Sequence, residues 1–149
     1  MKLFSVMLMA VCLLFAGTAF AAEADHKTPT KQYVSMRSGT NSEVGRIYAD
    51  GKVCNKNNQT IGSFKPNGEV RNKNNQKIGL IKSDGEVRNQ NNQKMGLIKP
   101  DGEVRNQKNQ KMGTVRANGT VYNQNNQKIG IAPGLKKEWV AGFYFFFFN

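Results

Sequence analysis

Few side chains in this sequence could do chemistry. His26 is the single histidine, Cys12 and Cys54 are the two cysteines, and ten residues are Asp or Glu. General acid–base catalysis needs two carboxylates in distinct environments, and a triad or metal site needs grouped histidines, cysteines or carboxylates. The acidic residues instead recur singly, either in turns where Asn replaces them or beside a lysine. We therefore expect no catalytic residue, no metal, no cofactor and no enzyme activity.

Positive charge is the stronger chemical feature. The chain has 22 Lys and Arg residues against ten Asp and Glu, a net charge of +12. An arginine recurs opposite a lysine in three successive segments, which predicts an outward basic band that attracts polyanions through its summed field. The candidate polyanion-binding residues are Arg71, Arg88, Arg105, Lys77, Lys94 and Lys111. An alternative interpretation is a solvated face that only keeps the protein soluble.

The elements that must position these cations are sequence repeats. Five consecutive units of 17 residues run from Gly45 to Ile129 without an insertion. Each unit has a leading glycine, a turn glycine, a valine two residues later and an Asn-Gln pair before its end. The leading glycines are Gly45, Gly62, Gly79, Gly96 and Gly113, and Gly130 opens a sixth unit that stops early.

Each unit predicts two short strands and two turns. A three-residue loop such as Ser83-Asp84-Gly85 places Ile81 opposite Val87, and Lys82 opposite Glu86. The second turn repeats this geometry with Asn92 in the left-handed position, and it predicts Val87 opposite Met95. Met95 and Ile98 are three residues apart, so a bulge or corner near Gly96 is needed to point both inward.

One unit buries too little to fold alone. Its three aliphatic side chains contribute roughly 1.5–3 kcal/mol each, whereas ordering its backbone costs about 1–2 kcal/mol per residue. Neighbouring units must therefore stack or close a ring. Met36 to Val44 forms an incomplete unit, and Gly130 to Ala132 forms another, so the two ends are expected to pair. The fold class is thus all-β, with five hairpin repeats in a closed or near-closed ring.

An aromatic tail follows the repeats. Its members are Trp139, Phe143, Tyr144, Phe145, Phe146, Phe147 and Phe148. The repeats have little bulky core, so we expect the tail to be a buried strand or coil that supplies the missing core or plug. Two alternatives are an oligomer interface and attachment to a membrane surface. The tail is too short for a spanning helix.

The amino terminus predicts export. Residues 1–21 have a basic start, a short apolar core and a small-residue cleavage site ending at Ala21, as in a bacterial signal peptide. No transmembrane span is expected after its removal. We expect a flexible leader over residues 22–32 and a single β-repeat domain over residues 33–149, in a periplasmic or secreted protein.

Cys54 occupies the slot of Arg71 in the next unit, so we expect it to point outward, as a tolerated surface residue or a reactive thiol.

The repeat pattern Gly-x-Ile-x-x-Asp-Gly-x-Val-x-Asn-x-Asn-Asn-Gln-x-Ile resembles the five-fold beta-flower family of predicted secreted bacterial proteins. The resemblance spans Tyr33 to Asn149 and implies a five-fold all-β arrangement, with no catalytic residues to carry over. We expect an exported, non-enzymatic scaffold or binding module whose basic face engages anionic glycans or lipid head groups of the cell envelope. The alternative is a self-assembling structural protein that uses the aromatic tail as its interface. Nucleic acid is not an expected partner, because an exported protein leaves the compartment that contains it and no aromatic residues alternate with the cations as stacking platforms.

Overall fold

A computed structural model describes residues 33–148 of the chain. The predicted signal peptide over residues 1–21 and the predicted leader over residues 22–32 lie outside the described residues. Cys12 and His26 lie there as well, and so does Asn149.

Twelve antiparallel strands form a closed barrel in which each strand pairs with its neighbours in sequence. The first and last strands also pair, with Arg37 opposite Ile131 and Ser38 opposite Gly130, so the predicted ring closure is confirmed. The strands are β1 (Tyr33–Ser38), β2 (Glu43–Tyr48), β3 (Lys52–Asn55), β4 (Thr60–Phe64), β5 (Glu69–Asn72), β6 (Lys77–Ile81), β7 (Glu86–Asn89), β8 (Lys94–Ile98), β9 (Glu103–Asn106), β10 (Lys111–Val115), β11 (Thr120–Asn123) and β12 (Lys128–Ile131).

The first turn of each unit has the predicted geometry. Gly85 has φ 90°, a left-handed conformation that glycine adopts without steric cost. Ile81 pairs with Val87, and the amide of Lys82 donates to the carbonyl of Glu86 at 2.9 Å. The three-residue loop is therefore confirmed, and the apolar side chains of this hairpin share the inner face.

The second turn confirms the left-handed asparagine but corrects the register. Asn92 has φ 64°, and the side-chain oxygen of Asn89 accepts from the amides of Asn91 and Gln93. Val87 pairs with Gly96 rather than with Met95, because the register shifts between Val87 and Arg88. Met95 is the extra residue of a β-bulge, so the predicted bulge exists but begins one residue earlier than Gly96.

The inner face of the barrel has a continuous apolar layer. Its valines are fully buried, and one further apolar residue per hairpin packs beside them. The valine layer is Val53, Val70, Val87, Val104 and Val121, and the neighbouring layer is Ile47, Phe64, Ile81, Ile98, Val115 and Ala132. Eight strands already leave only enough room for side chains, so a barrel of 12 strands needs a further filling.

The aromatic tail provides that filling, but as helix. A short α-helix, α1 (Lys137–Ala141), runs directly into a π-helix (Gly142–Phe147). The prediction that the tail is core is confirmed, whereas the predicted strand or coil is wrong. The strands of a closed barrel already pair with each other, so a strand in the lumen would find no partners for its amides. A helix satisfies its own backbone there.

Six consecutive aromatic residues each lie against one of the six leading glycines. A Cβ on Gly96 would lie 2.9 Å from the ring of Phe146, and a Cβ on Gly62 would lie 2.6 Å from the ring of Phe148. In order around the barrel, the pairs are Phe143 with Gly45, Tyr144 with Gly130, Phe145 with Gly113, Phe146 with Gly96, Phe147 with Gly79, and Phe148 with Gly62. Glycine therefore recurs in the repeats because a Cβ at these positions would meet a ring of the tail and, at every one except Gly130, also a backbone carbonyl of the next strand. No helix within residues 33–148 is long and apolar enough to cross a membrane.

Candidate polyanion-binding surface

The turns divide the barrel into two ends of different chemistry. We call one the Gly-turn end, where the turn glycines are Gly51, Gly68, Gly85, Gly102 and Gly119. We call the other the Asn-turn end, where the left-handed residues are Asn41, Asn58, Asn75, Asn92, Asn109 and Asn126. All strands run between these two ends, so each charged residue can be assigned to one of them by its place in the repeat.

The predicted arginine–lysine pairs exist on the outer face, close to the Asn-turn end. Arg88 pairs with Lys94, and the same register joins Arg71 with Lys77 and Arg105 with Lys111. Val87, the strand neighbour of Arg88, is fully buried on the inner face, so alternation along the strand directs the arginine outward. The fold thus places the six predicted site residues in three equivalent outward pairs.

The arginines of these pairs are already engaged within the protein. Nε of Arg88 lies 2.6 Å from a carboxylate oxygen of Glu86, and its Nη1 donates to the carbonyl of Asn92 at 2.9 Å. Arg71 and Arg105 make the same two contacts in their own units, and Arg37 donates to the carbonyl of Asn41. Each guanidinium therefore ties a strand to the turn that follows it.

The glutamates respond electrostatically to this arrangement. The hydrogen bond from Arg88 holds the pKa of Glu86 below its usual range, with further contributions from the charges of Arg88 and Lys82. Glu103 has a lowered pKa for the same reason, through Arg105. These carboxylates are thus ionised at neutral pH and cancel much of the arginine charge.

The lysines are the more accessible members of the pairs. The side chain of Lys77 is 43% exposed, compared with 30% for Arg71, and its Nζ lies 3.9 Å from the nearest oxygen of Glu69. At this distance and exposure, the attraction between Lys77 and Glu69 is weak, and an external anion can readily replace Glu69 as the partner of the lysine. Sequence reasoning assigned equal roles to the arginine and the lysine of each pair. It missed that an arginine four residues before the left-handed asparagine donates to the carbonyl of that asparagine and so stabilises the turn.

The two ends differ strongly in charge. Within residues 33–148, the acidic residue at the Asn-turn end is Glu43. The basic residues at this end are Arg37, Lys56, Arg71, Lys73, Lys77, Arg88, Lys94, Arg105, Lys108, Lys111 and Lys128. The Gly-turn half instead carries Asp50, Asp84, Asp101 and Glu138 among its lysines, together with Glu69, Glu86 and Glu103, whose carboxylates reach the arginines of the other half. Sequence reasoning missed the turn lysines Lys56, Lys73 and Lys108, although their positions in the repeat were readable.

Comparison with known proteins gives the family. Residues 30–148 match the family described as 5-fold beta-flower protein. The chain belongs to this beta-flower family. No curated protein and no solved structure gives a match. The resemblance drawn from the repeat pattern is therefore confirmed, and the beta-flower chain is a β-repeat protein with an aromatic core at its carboxyl end.

The tail of this beta-flower protein occupies the lumen. Val140 and Phe143 are buried, and Trp139 stacks on Phe64 with ring centroids 5.8 Å apart. Phe148 meets the same Phe64 edge-on at 5.4 Å. The seven predicted tail residues therefore pack with the barrel interior, as core.

The prediction that Cys54 is a surface residue or a reactive thiol is wrong. It lies on the outward side of β3 opposite Arg46 and Thr60, yet it is only 1% exposed. The thiol is short, so the longer side chains that flank it across the sheet cover it, whereas arginine in the same slot reaches solvent. Cys54 is neither an exposed surface residue nor an accessible thiol.

In residues 33–148 of the beta-flower protein, no group of three His, Cys, Asp or Glu side chains is placed to hold a metal ion.

Proposed function

We propose that this beta-flower protein is an exported, non-enzymatic binding module, periplasmic or secreted, that engages anionic components of the cell envelope through its basic Asn-turn end. The single observation that carries the proposal is the charge difference between the two barrel ends. A uniformly solubilising surface would place cations at both ends alike, with acids interspersed. Here Glu69, Glu86 and Glu103 offset the arginines beside them, and the other acids lie mainly in the Gly-turn half, so the lysines leave the Asn-turn end with a net positive field.

Lysines, rather than arginines, are the binding groups in this proposal. Lys77, Lys94 and Lys111 begin their strands beside the Asn turns and are repeated in register around the barrel. An ammonium on a flexible stem can reach an anion whose position varies, as in an envelope polymer. Self-assembly through the tail receives no support from its placement, since its rings would have to leave the lumen to form an interface.

A charge-matched pair of variants tests the proposal. The test variant replaces Lys77, Lys94 and Lys111 by Gln, and the control variant replaces Lys65, Lys82 and Lys99 by Gln at the Gly-turn end. Both have the same net charge. Retention on a resin bearing a sulfated or phosphorylated glycan is measured as the salt concentration that elutes each protein.

The test variant should elute at clearly lower salt than the control variant, because binding depends on the Asn-turn end and not on total charge. Elution of the two variants at the same salt concentration would mean that retention depends only on net charge, and the proposed binding face would be wrong. Thermal unfolding of both variants verifies that the barrel is intact.

A further inference from the structure

Besides its charge, the Asn-turn end has apolar residues that are only partly covered by the rest of the protein. The bulge residue of each hairpin lies here and faces the interior. Val44 is 38% exposed, and its equivalents in the later units are partly buried against the core. We call this set the apolar mouth: Val44, Ile61, Ile78, Met95, Met112 and Ile129.

The apolar mouth is only partly covered, whereas the opposite end of the barrel is closed by the tail. Nζ of Lys137 donates to the carbonyl of Pro100 at 2.7 Å, which holds α1 against the Gly-turn end. Trp139 lies beside Gly51 at that same end. Going deeper, Val140 and Ala141 are fully buried, whereas Phe145 to Phe148 are only partly buried. The barrel is therefore sealed at one end, with apolar groups left partly uncovered toward the other.

We infer that the Asn-turn end docks on the surface of an anionic phospholipid bilayer, with lysines on the phosphates and the apolar mouth facing the head-group region. This inference rests on the proposed function and specifies its ligand. Lys56, Lys73 and Lys108 lie in the turns themselves and meet the phosphates first, while Lys77, Lys94 and Lys111 follow at the strand ends.

The combination of charges and apolar groups favours a bilayer over a soluble acidic glycan. A glycan offers anions to the lysines but gives the apolar mouth nothing to contact. An anionic bilayer presents phosphates at its surface and apolar groups just below, and each nearby lysine adds to the attraction. Partly exposed apolar residues within a basic surface are what such an interface requires.

Sedimentation with vesicles tests the docking. Vesicles of phosphatidylcholine containing phosphatidylglycerol should bind the protein, and vesicles of phosphatidylcholine alone should not. Replacing Lys77, Lys94 and Lys111 by Gln should weaken binding roughly 100-fold. Replacing Met95 and Met112 by Gln should weaken vesicle binding about tenfold and leave elution from the glycan resin unchanged. The matched control replaces Leu80 and Leu97 by Gln on the outer face, and it should change neither measurement.

Orientation gives an independent test on the unmodified protein. Trp139 is the single tryptophan and lies at the Gly-turn end, so brominated phospholipids should not quench its fluorescence. A Met95→Trp substitution in a Trp139→Phe background should be quenched.

The outcomes separate the two proposals. Retention on the glycan resin without vesicle binding would overturn bilayer docking and leave the proposed function standing. Failure of both measurements would overturn both proposals. Strong quenching of Trp139, or a loss of vesicle binding in the leucine control, would show that a different face meets the bilayer and would overturn the docking.

Discussion

The hydroxyl of Tyr144 donates a hydrogen bond to the backbone carbonyl of Arg37, across the seam where the first and last strands meet. The tail contributes six consecutive rings to the barrel, and this one alone carries a hydroxyl. The seam is short, with Arg37 opposite Ile131 and Ser38 opposite Gly130. Tyr144 therefore joins the tail to the site at which the barrel closes.

Removing the hydroxyl should weaken the seam. We expect Tyr144→Phe to lower the free energy of unfolding by about 1–3 kcal/mol, since it leaves the Arg37 carbonyl without this buried partner. Amide hydrogen exchange should accelerate most at Arg37 and Ile131, which pair across the seam, because the amide of Ser38 donates to Ser42 within the first hairpin instead. Tyr122→Phe, on the outer face against Arg116, is the control and should cost less. Equal exchange rates in Tyr144→Phe and the native protein would argue against a role in closure.

Stability should also depend on the ionisation of Tyr144. Burial raises the pKa of its hydroxyl from 10 to about 12. The unfolded chain therefore loses this proton at lower pH than the folded protein does, so the stabilisation is complete below pH 10 and is lost as the pH rises toward 12. Denaturant unfolding at several pH values should show this decline in the native protein and a shallower one in Tyr144→Phe. Identical slopes would mean that Tyr144 titrates normally.

The Asn turns give a backbone prediction. Asn92 has φ 64°, a conformation that costs an ordinary residue about 1–2 kcal/mol. Asn92→Ala should therefore lower the free energy of unfolding by about 1 kcal/mol, whereas Asn92→Gly should be close to neutral. Asn91→Ala in the same turn is the control. A cost for Asn92→Gly as large as that for Asn92→Ala would show that the side chain, rather than the backbone conformation, is what matters.

Much of the barrel was predictable because its determinants are local. Turn residues and cross-strand side chains together select the pairing of Ile81 with Val87, and incomplete units at both ends predict closure. The pairing of Val87 with Gly96 was missed, because alternation alone cannot tell which of two adjacent residues a bulge adds. Reading Met95 and Gly96 as one bulged pair resolves this.

The helical tail was not predictable from its own residues. A run of phenylalanines has no helical periodicity, and aromatic residues favour strands. The conformation follows from the surroundings, since a closed barrel offers the tail no free strand edge. The contact of Arg88 with the turn was not predictable either. Its partner is the backbone carbonyl of Asn92, and every residue has such a carbonyl, so residue types alone do not indicate the bond.

The correspondence between rings and glycines is the central claim, and a double-mutant cycle tests it most directly. Phe147 lies against Gly79, while Phe145 lies against Gly113. Gly79→Ala should destabilise the barrel by about 1–3 kcal/mol through overpacking. A nearby carbonyl, that of Arg88, adds a constant cost that the cycle cancels.

Chemical denaturation of the single and double variants gives the coupling free energies. We predict that Phe147→Leu relieves the cost of Gly79→Ala, with a coupling of about 1 kcal/mol or more, while Phe145→Leu and Gly79→Ala remain additive within about 0.5 kcal/mol. Equal coupling of Gly79 to both rings, or none to Phe147, would contradict the one-to-one arrangement of rings and glycines.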